Sequence, residues 1–281
     1  MSNIIDAIIN LANNPVIQLR DTYSRKNRAN SAGDALEEYV KDLFAGTFDV
    51  ESPQERLENI QRTFSYLGND SNPPDAMLLG GDAIEVKKIE ANNSALALNS
   101  SYPKHKLYSN STMISAACRD AEKWQEKDII YVVGIVHSNN LQHLCMVYGC
   151  DYCASNETYE KIKQTIKDGI ESIPNIELSE TNELGKLHKV DPLGVTYLRV
   201  RGMWGIENPF KVFDYAFTRD NSKKFNFMAI INEEKYSSFD NTSKLEALEK
   251  ENNNLKITDI KIKNPDNPAK LKKAKLVTIV L

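Results

Sequence analysis

The stretch "PPDAMLLGGDAIEVKKIE", residues 73–90, gathers Asp75, Glu85 and Lys87 around a glycine pair. Gly80-Gly81 predicts a tight reversal between two strands, because glycine accepts the positive φ that hairpin turns need. Asp75 lies five residues before Gly80 and Glu85 lies five residues after it. With Gly80 at the turn, the two carboxylates fall opposite each other on one face of an antiparallel pair. Side chains alternate along "AIEVKKI". Ile84 and Val86 then anchor the hairpin in the core, while Asp75, Glu85 and Lys87 share an exposed face. Lys88 and Glu90 stand outside that group.

Two carboxylates held side by side repel each other unless a cation lies between them. Oxygen donors with a few waters suit Mg²⁺, which often shares a substrate phosphate. A neighbouring lysine can orient a water, help deprotonate it, or balance phosphate charge. The chemistry such a set supports is hydrolysis of a phosphodiester. A plain hairpin with a solvated Glu/Lys face also accounts for the spacing. Pro-Asp recurs at Pro265-Asp266 and Glu-x-Lys at Glu233–Lys235, so neither pair is diagnostic alone.

Three further groups are candidates. The loop "SSYPKHKLYSNS" carries Ser101, Lys104, His105 and Lys106, residue types that suit phosphate positioning and groove contacts. It follows the Glu85 strand directly, and a solvated polar loop is the alternative. In "YLRVRGMW", Arg199 and Arg201 alternate with apolar residues, so both guanidiniums leave one face of a strand. Arginine reads guanine bidentately; salt bridges to nearby acids are the alternative. His143, Cys145, Cys150 and Cys153 form a possible zinc set in "HLCMVYGCDYC". Cys145 also fits an apolar strand and is then simply core.

The elements that must hold these groups are legible as periodicity. Helices are predicted over 3–12, 31–45, 54–67, 113–124, 157–172 and 243–252. Strands are predicted over 75–79, 83–89, 128–136, 194–204 and 225–232 and in "AKLVTIVL"; "LQHLCMVYG" pairs with the 128–136 strand. "NDSNPPD" is turn chemistry. Helices and strands alternate, which predicts an α/β fold with a mixed central sheet flanked by helices.

The chain of 281 residues, 41% hydrophobic, is long enough for a substantial core. Its net charge of −4 neither requires nor excludes nucleic acid, since basic residues can collect on one face. No apolar run reaches the 18 residues of a membrane span, and "MSNIIDAIINLANN" reads as an amphipathic helix, not a signal peptide. A reduced, cytoplasmic protein is the expectation. No G-x-x-x-x-G-K-[ST] loop or methyltransferase signature is present.

Pro74-Asp75, then Glu85, then Lys87 resembles the PD-(D/E)XK nuclease signature. More widely, "NRANSAGDALEEYVKDLFA", "PDAMLLGGDAIEVKKIE" and "LALNSSYPKHKLYSNSTMI" resemble the NgoPII-type family of type II restriction endonucleases. The resemblance implies a PD-(D/E)XK restriction-endonuclease-like core and one endonuclease domain over 1–281. The catalytic core would occupy roughly 30–205, with a C-terminal elaboration over 206–281. It implies a Mg²⁺ site on Asp75, Glu85 and the intervening Val86, and a water assisted by Lys87. It also implies a helical glutamate, Glu37 or its neighbour Glu38, with Glu37 preferred. The expected substrate is double-stranded DNA at a short palindrome, GGCC, cut by a homodimer. A separate methyltransferase would be a functional, not physical, partner. A repair or junction-resolving nuclease and a non-catalytic DNA-binding module remain the alternative functions.

Overall fold

The computed structural model describes residues 1–25, 31–69, 72–174, 177–181 and 183–281. Residues 70 and 71 of the predicted "NDSNPPD" turn, and 27–30 of the "NRANSAGD" segment, lie outside the described residues. Four helices come first: α1 (Ile4–Asn13), α2 (Leu19–Arg25), α3 (Ala32–Ala45) and α4 (Pro53–Thr63). Asn3 starts α1 with a reciprocal cap, accepting from the Ile5 and Asp6 N–H groups while the Asp6 carboxylate accepts from Asn3 N–H. Ser31 and Asp34 repeat the arrangement at α3. The predicted stripe of α3, from Ala35 to Phe44, is buried. Each such apolar side chain contributes roughly 1.5–3 kcal/mol.

The predicted helix over 54–67 ends at Thr63, and Phe64–Tyr66 forms strand β1 instead. Phe64 and Tyr66 are buried and Ser65 less so, which is strand alternation. Next come β2 (Ala76–Leu78), β3 (Ala83–Ile89), β4 (Leu96–Asn99), β5 (Lys106–Tyr108), α5 (Ala116–Asp120), β6 (Glu126–His137) and β7 (Asn140–Tyr148). α5 is shorter than the predicted 113–124. Ser115 caps it, and past its end Glu122 turns away to pair with Lys127 and to accept from Gly80 N–H. After α6 (Gly149–Tyr152) and α7 (Asn156–Glu171) follow β8 (Glu177–Leu178), β9 (Gly185–His188), β10 (Leu198–Val200) and β11 (Trp204–Ile206). The predicted 194–204 strand is therefore two strands with different partners, β10 on β9 and β11 on β4. The chain closes with α8 (Pro209–Val212), β12 (Asn226–Asn232), α9 (Glu233–Ser237), α10 (Thr242–Glu251), β13 (Leu255–Lys263) and β14 (Leu271–Val280).

The fold is α/β, with a mixed central sheet ordered β1-β2-β3-β6-β7-β12-β14-β13. β3 runs parallel to β6 and β7 parallel to β12. The other neighbours along it are antiparallel. Residues after 206 extend this same sheet through β12, β14 and β13.

β6 is apolar on both faces, as a central strand must be. Ile130, Val132 and Val136 join the helix-side core with α1 and α3. Ile129, Tyr131, Val133 and Ile135 join a second core with Cys145, Phe210 and Phe213. Where α3 crosses the sheet, Leu36 rests on Gly134. A Cβ there would lie 2.6 Å from Leu36 Cδ2.

Candidate active site

The β2–β3 hairpin places the first candidates. Its register pairs Ala76 with Ile84 and Met77 with Ala83, which continues to Asp75 opposite Glu85. Gly80 turns the corner at φ +65°, and Gly81 N–H donates to Leu78 O at 3.0 Å. Asp75 is pinned because its Oδ2 accepts from Val86 N–H at 2.6 Å. Lys87 Nζ lies 2.6 Å from Glu85 Oε1 and 3.8 Å from Asp75 Oδ2, and donates to Val86 O at 3.2 Å. Ile84 and Val86 face the helix-side core as the alternation required.

The shared face is not exposed, however. Glu85 is only 9% exposed. Tyr131 of β6 lies beside it in register, and the segment from Ala97 to Lys104 covers it. Together they enclose a cavity of about 370 Å³ lined by Asp75, Glu85, Lys87, Ser101, Lys104 and Tyr131.

Burial decides the electrostatics. It pushes the Glu85 carboxyl up to about 7, with Asp75 adding to the rise and Lys87 opposing it. Burial also works against the Lys87 charge, but Glu85 and Asp75 outweigh it and the Lys87 pKa rises. The Glu37 carboxyl is raised too, by burial and then by Asp75, and it also feels Lys87. Three carboxylates thus surround one ammonium. The lysine stays charged, and burial favours the protonated form of Glu85.

The choice between the two helical glutamates has a geometric answer. Glu38 is committed elsewhere, to Arg56 and Lys41 at 2.8 Å each. Arg56 in turn holds the buried Asp42 at 2.8 Å. Glu37 is the one whose carboxyl feels Asp75 and Lys87.

The polar loop divides. Ser101 and Lys104 line the cavity. Lys104 is 4% exposed, and burial pushes its pKa down to about 8. His105 Nδ1 meets Cys153 O at 3.2 Å, and Lys106 pairs with Glu126 at 2.8 Å, so neither lines the cavity. Arg199 and Arg201 sit on the small β8–β9–β10 side of the molecule. Both bond Glu183, each at 2.6 Å, which is the salt-bridged arrangement anticipated as their alternative.

The His143 and cysteine set does not converge. Cys145 and Cys153 lie in the second core, while Cys150 packs against the helix-side core across the sheet. Among the described residues no three His, Cys, Asp or Glu side chains are grouped as a metal site. In the cavity, Lys87 takes the third place beside the two carboxylates.

That cavity still fits a hard divalent cation. Glu85 Oε2 is buried and has no hydrogen-bond partner, and an orphaned carboxylate oxygen there is costly. Asp75, Glu85 and the Val86 carbonyl are all oxygen donors, the set Mg²⁺ prefers. Val86 has its side chain in the core, so only its backbone can serve.

Tyr131 was missed as a cavity residue. Its signal was available: it is the one hydroxyl in the apolar run "DIIYVVGIV".

The sequence profile described as "NgoPII restriction endonuclease" matches residues 2–263. The type II restriction enzyme NgoPII of Neisseria gonorrhoeae is 62% identical over 277 residues, covering 98% of this chain and 99% of that protein. No solved structure gives a significant match. Among the described residues no helix is long and apolar enough to cross a membrane.

Proposed function

The chain belongs to the NgoPII restriction endonuclease family of type II restriction enzymes, and from that premise we propose how it cuts and where. It hydrolyses double-stranded DNA at a short palindrome, GGCC, with the reacting phosphodiester held in the Asp75–Glu85–Lys87 cavity. The observation that carries this reading is the carboxylate pair, Glu85 buried and Asp75 half-buried, with Lys87 within 3.8 Å of both and one Glu85 oxygen without a hydrogen-bond partner.

Asp75, Glu85 and the Val86 carbonyl would hold Mg²⁺. When bound, the ion supplies positive charge to the phosphate and acidifies a water. Lys87, as an ammonium, orients the attacking water and balances charge as phosphorus gains a bond to the water oxygen and loses one ester oxygen, with the water's proton ending on the departing oxygen. Val86 N–H keeps Asp75 aimed into the cavity. Glu37 adds a third carboxylate at the edge.

Ser101, Lys104, His105 and Lys106 are proposed DNA contacts. Arg199 and Arg201 are proposed guanine readers, which requires Glu183 to release them. A palindrome cut on both strands calls for two copies of this site related by a two-fold axis, hence a homodimer. The chain is read as one endonuclease domain over 1–281, with a core over roughly 30–205 that the 206–281 segment extends. In a bacterial cytoplasm a separate methyltransferase would protect host sites.

The test is digestion of a plasmid with Mg²⁺, with the ends mapped by sequencing. Discrete fragments ending at GGCC are expected. Asp75→Asn and Lys87→Ala should abolish cleavage while DNA binding persists. A fully active Asp75→Asn enzyme sinks the site assignment. Cutting only at branched junctions, or binding without cutting, would favour another function.

A further inference from the structure

Beyond the acidic triplet, the cavity has a second chemical side. Lys104 Nζ is buried and makes no hydrogen bond. An ammonium carries three N–H donors and normally uses them. It sits over the Tyr102 ring, 3.5 Å from the centroid, and of the nearby charges it feels Glu160 most, ahead of Lys163 and Glu85. The ring contact occupies a single direction. Ser101 Oγ, lining the same cavity, is likewise buried without a partner.

The lysine is held firmly. Its backbone N–H donates to Tyr131 Oη at 2.7 Å, and Tyr131 lies in register beside Glu85. Gly149 packs against its carbonyl so closely that an added Cβ would collide with Lys104 O. The Tyr102 ring is stacked on Tyr159 at 5.5 Å, and its hydroxyl donates to Glu160 at 2.7 Å. Lys104 is near enough to Glu85 for the two charges to interact. A buried, rigidly seated ammonium and a hydroxyl, both without a hydrogen-bond partner, are complementary to an anion. They line the cavity whose other residues take a cation.

We propose that Lys104 is a further catalytic residue, whose ammonium, with the Ser101 hydroxyl, binds the non-bridging oxygens of the scissile phosphate and stabilises their charge in the transition state. This rests on the cavity being the active site. It differs from a groove contact because the lysine acts on the reacting phosphate and not on the flanking backbone. Preorganised donors in a water-poor site are worth far more than surface charges.

The experiment compares wild type with Lys104→Met, using single-turnover cleavage in Mg²⁺ and DNA binding in Ca²⁺. The rate at saturating enzyme should fall about 100-fold, the usual cost of losing one such donor. Affinity for unmodified site DNA should change less than about threefold. Lys104→Arg should recover part of the rate. Removing an unpaired buried charge should leave the metal-free melting temperature unchanged or raised. A lower melting temperature makes Lys104 structural and overturns the proposal. So does a wild-type rate, or a loss confined to affinity. Asp75→Asn in the same assay separates the two readings. If it still cuts, the cavity is not the active site. If it is dead while Lys104→Met cuts normally, only the role of Lys104 falls.

Discussion

Replacing Glu85 by glutamine should stabilise the metal-free protein at high pH and do nothing for it at low pH. Glutamine keeps the shape and an acceptor for Lys87, but it cannot ionise. In the native protein, burial and Asp75 raise Glu85 from its ordinary 4.5 to about 7. That rise corresponds to about 3 kcal/mol. The sign follows from linkage. A folded-state pKa above the unfolded one favours the protonated fold, so the contribution is present below about 4.5 and lost as pH rises through 7. Wild type therefore loses about 3 kcal/mol from this group between pH 4.5 and pH 8, and Glu85→Gln does not. At roughly 2–4 °C per kcal/mol for a chain of this size, that is about 6–12 °C. Melting temperatures in EDTA should nearly coincide at pH 5 and separate by that amount at pH 8. Adding Mg²⁺ at pH 8 should raise wild type more than the variant. A separation that is the same at pH 5 and pH 8 would refute the reasoning.

The two helical glutamates should part company. Glu37→Gln should slow cleavage without lowering the melting temperature, since burial already disfavours the charged carboxylate in the fold. Glu38→Ala should leave cleavage intact but cost about 1 kcal/mol by releasing Arg56 and Lys41; kinetics and thermal melts on both variants would expose the opposite pattern. Glu183→Gln should free Arg199 and Arg201. DNA lacking the site should then bind roughly three- to tenfold tighter, with a steeper salt dependence. Anisotropy titrations across ionic strength that match wild type would mean that these arginines do not touch DNA.

Much of this was legible because it is local. The spacing of Asp75 and Glu85 about Gly80 fixes their register, and alternation in "AIEVKKI" separates Val86 from Glu85 and Lys87. Long β-branched runs such as β6 declare themselves. The cover over Glu85 was not legible, because it comes from Tyr131 and from the segment between Ala97 and Lys104. Nor does periodicity say that Lys104 enters the cavity while Lys106, two residues on, pairs with Glu126. The pairing of Arg199 and Arg201 with Glu183 depends on the small sheet folding back. β13 escaped notice because most of its residues are not buried, and an edge strand leaves little hydrophobic imprint.

The bare patch of sheet at Gly134 acts as a shim. Leu36 rests directly on it, so the absent side chain sets how low α3 rides, and Glu37 is the next residue along that helix. One added methyl would force Leu36, next to Glu37, to shift, though Gly134 lines no part of the Asp75–Glu85 cavity. Misplacements of about an ångström can cost a hundredfold in rate. The working tolerance of the proposed cutting site would therefore be set partly from beneath, by clearance in the hydrophobic layer, where a designer could adjust it without altering any residue of the cavity.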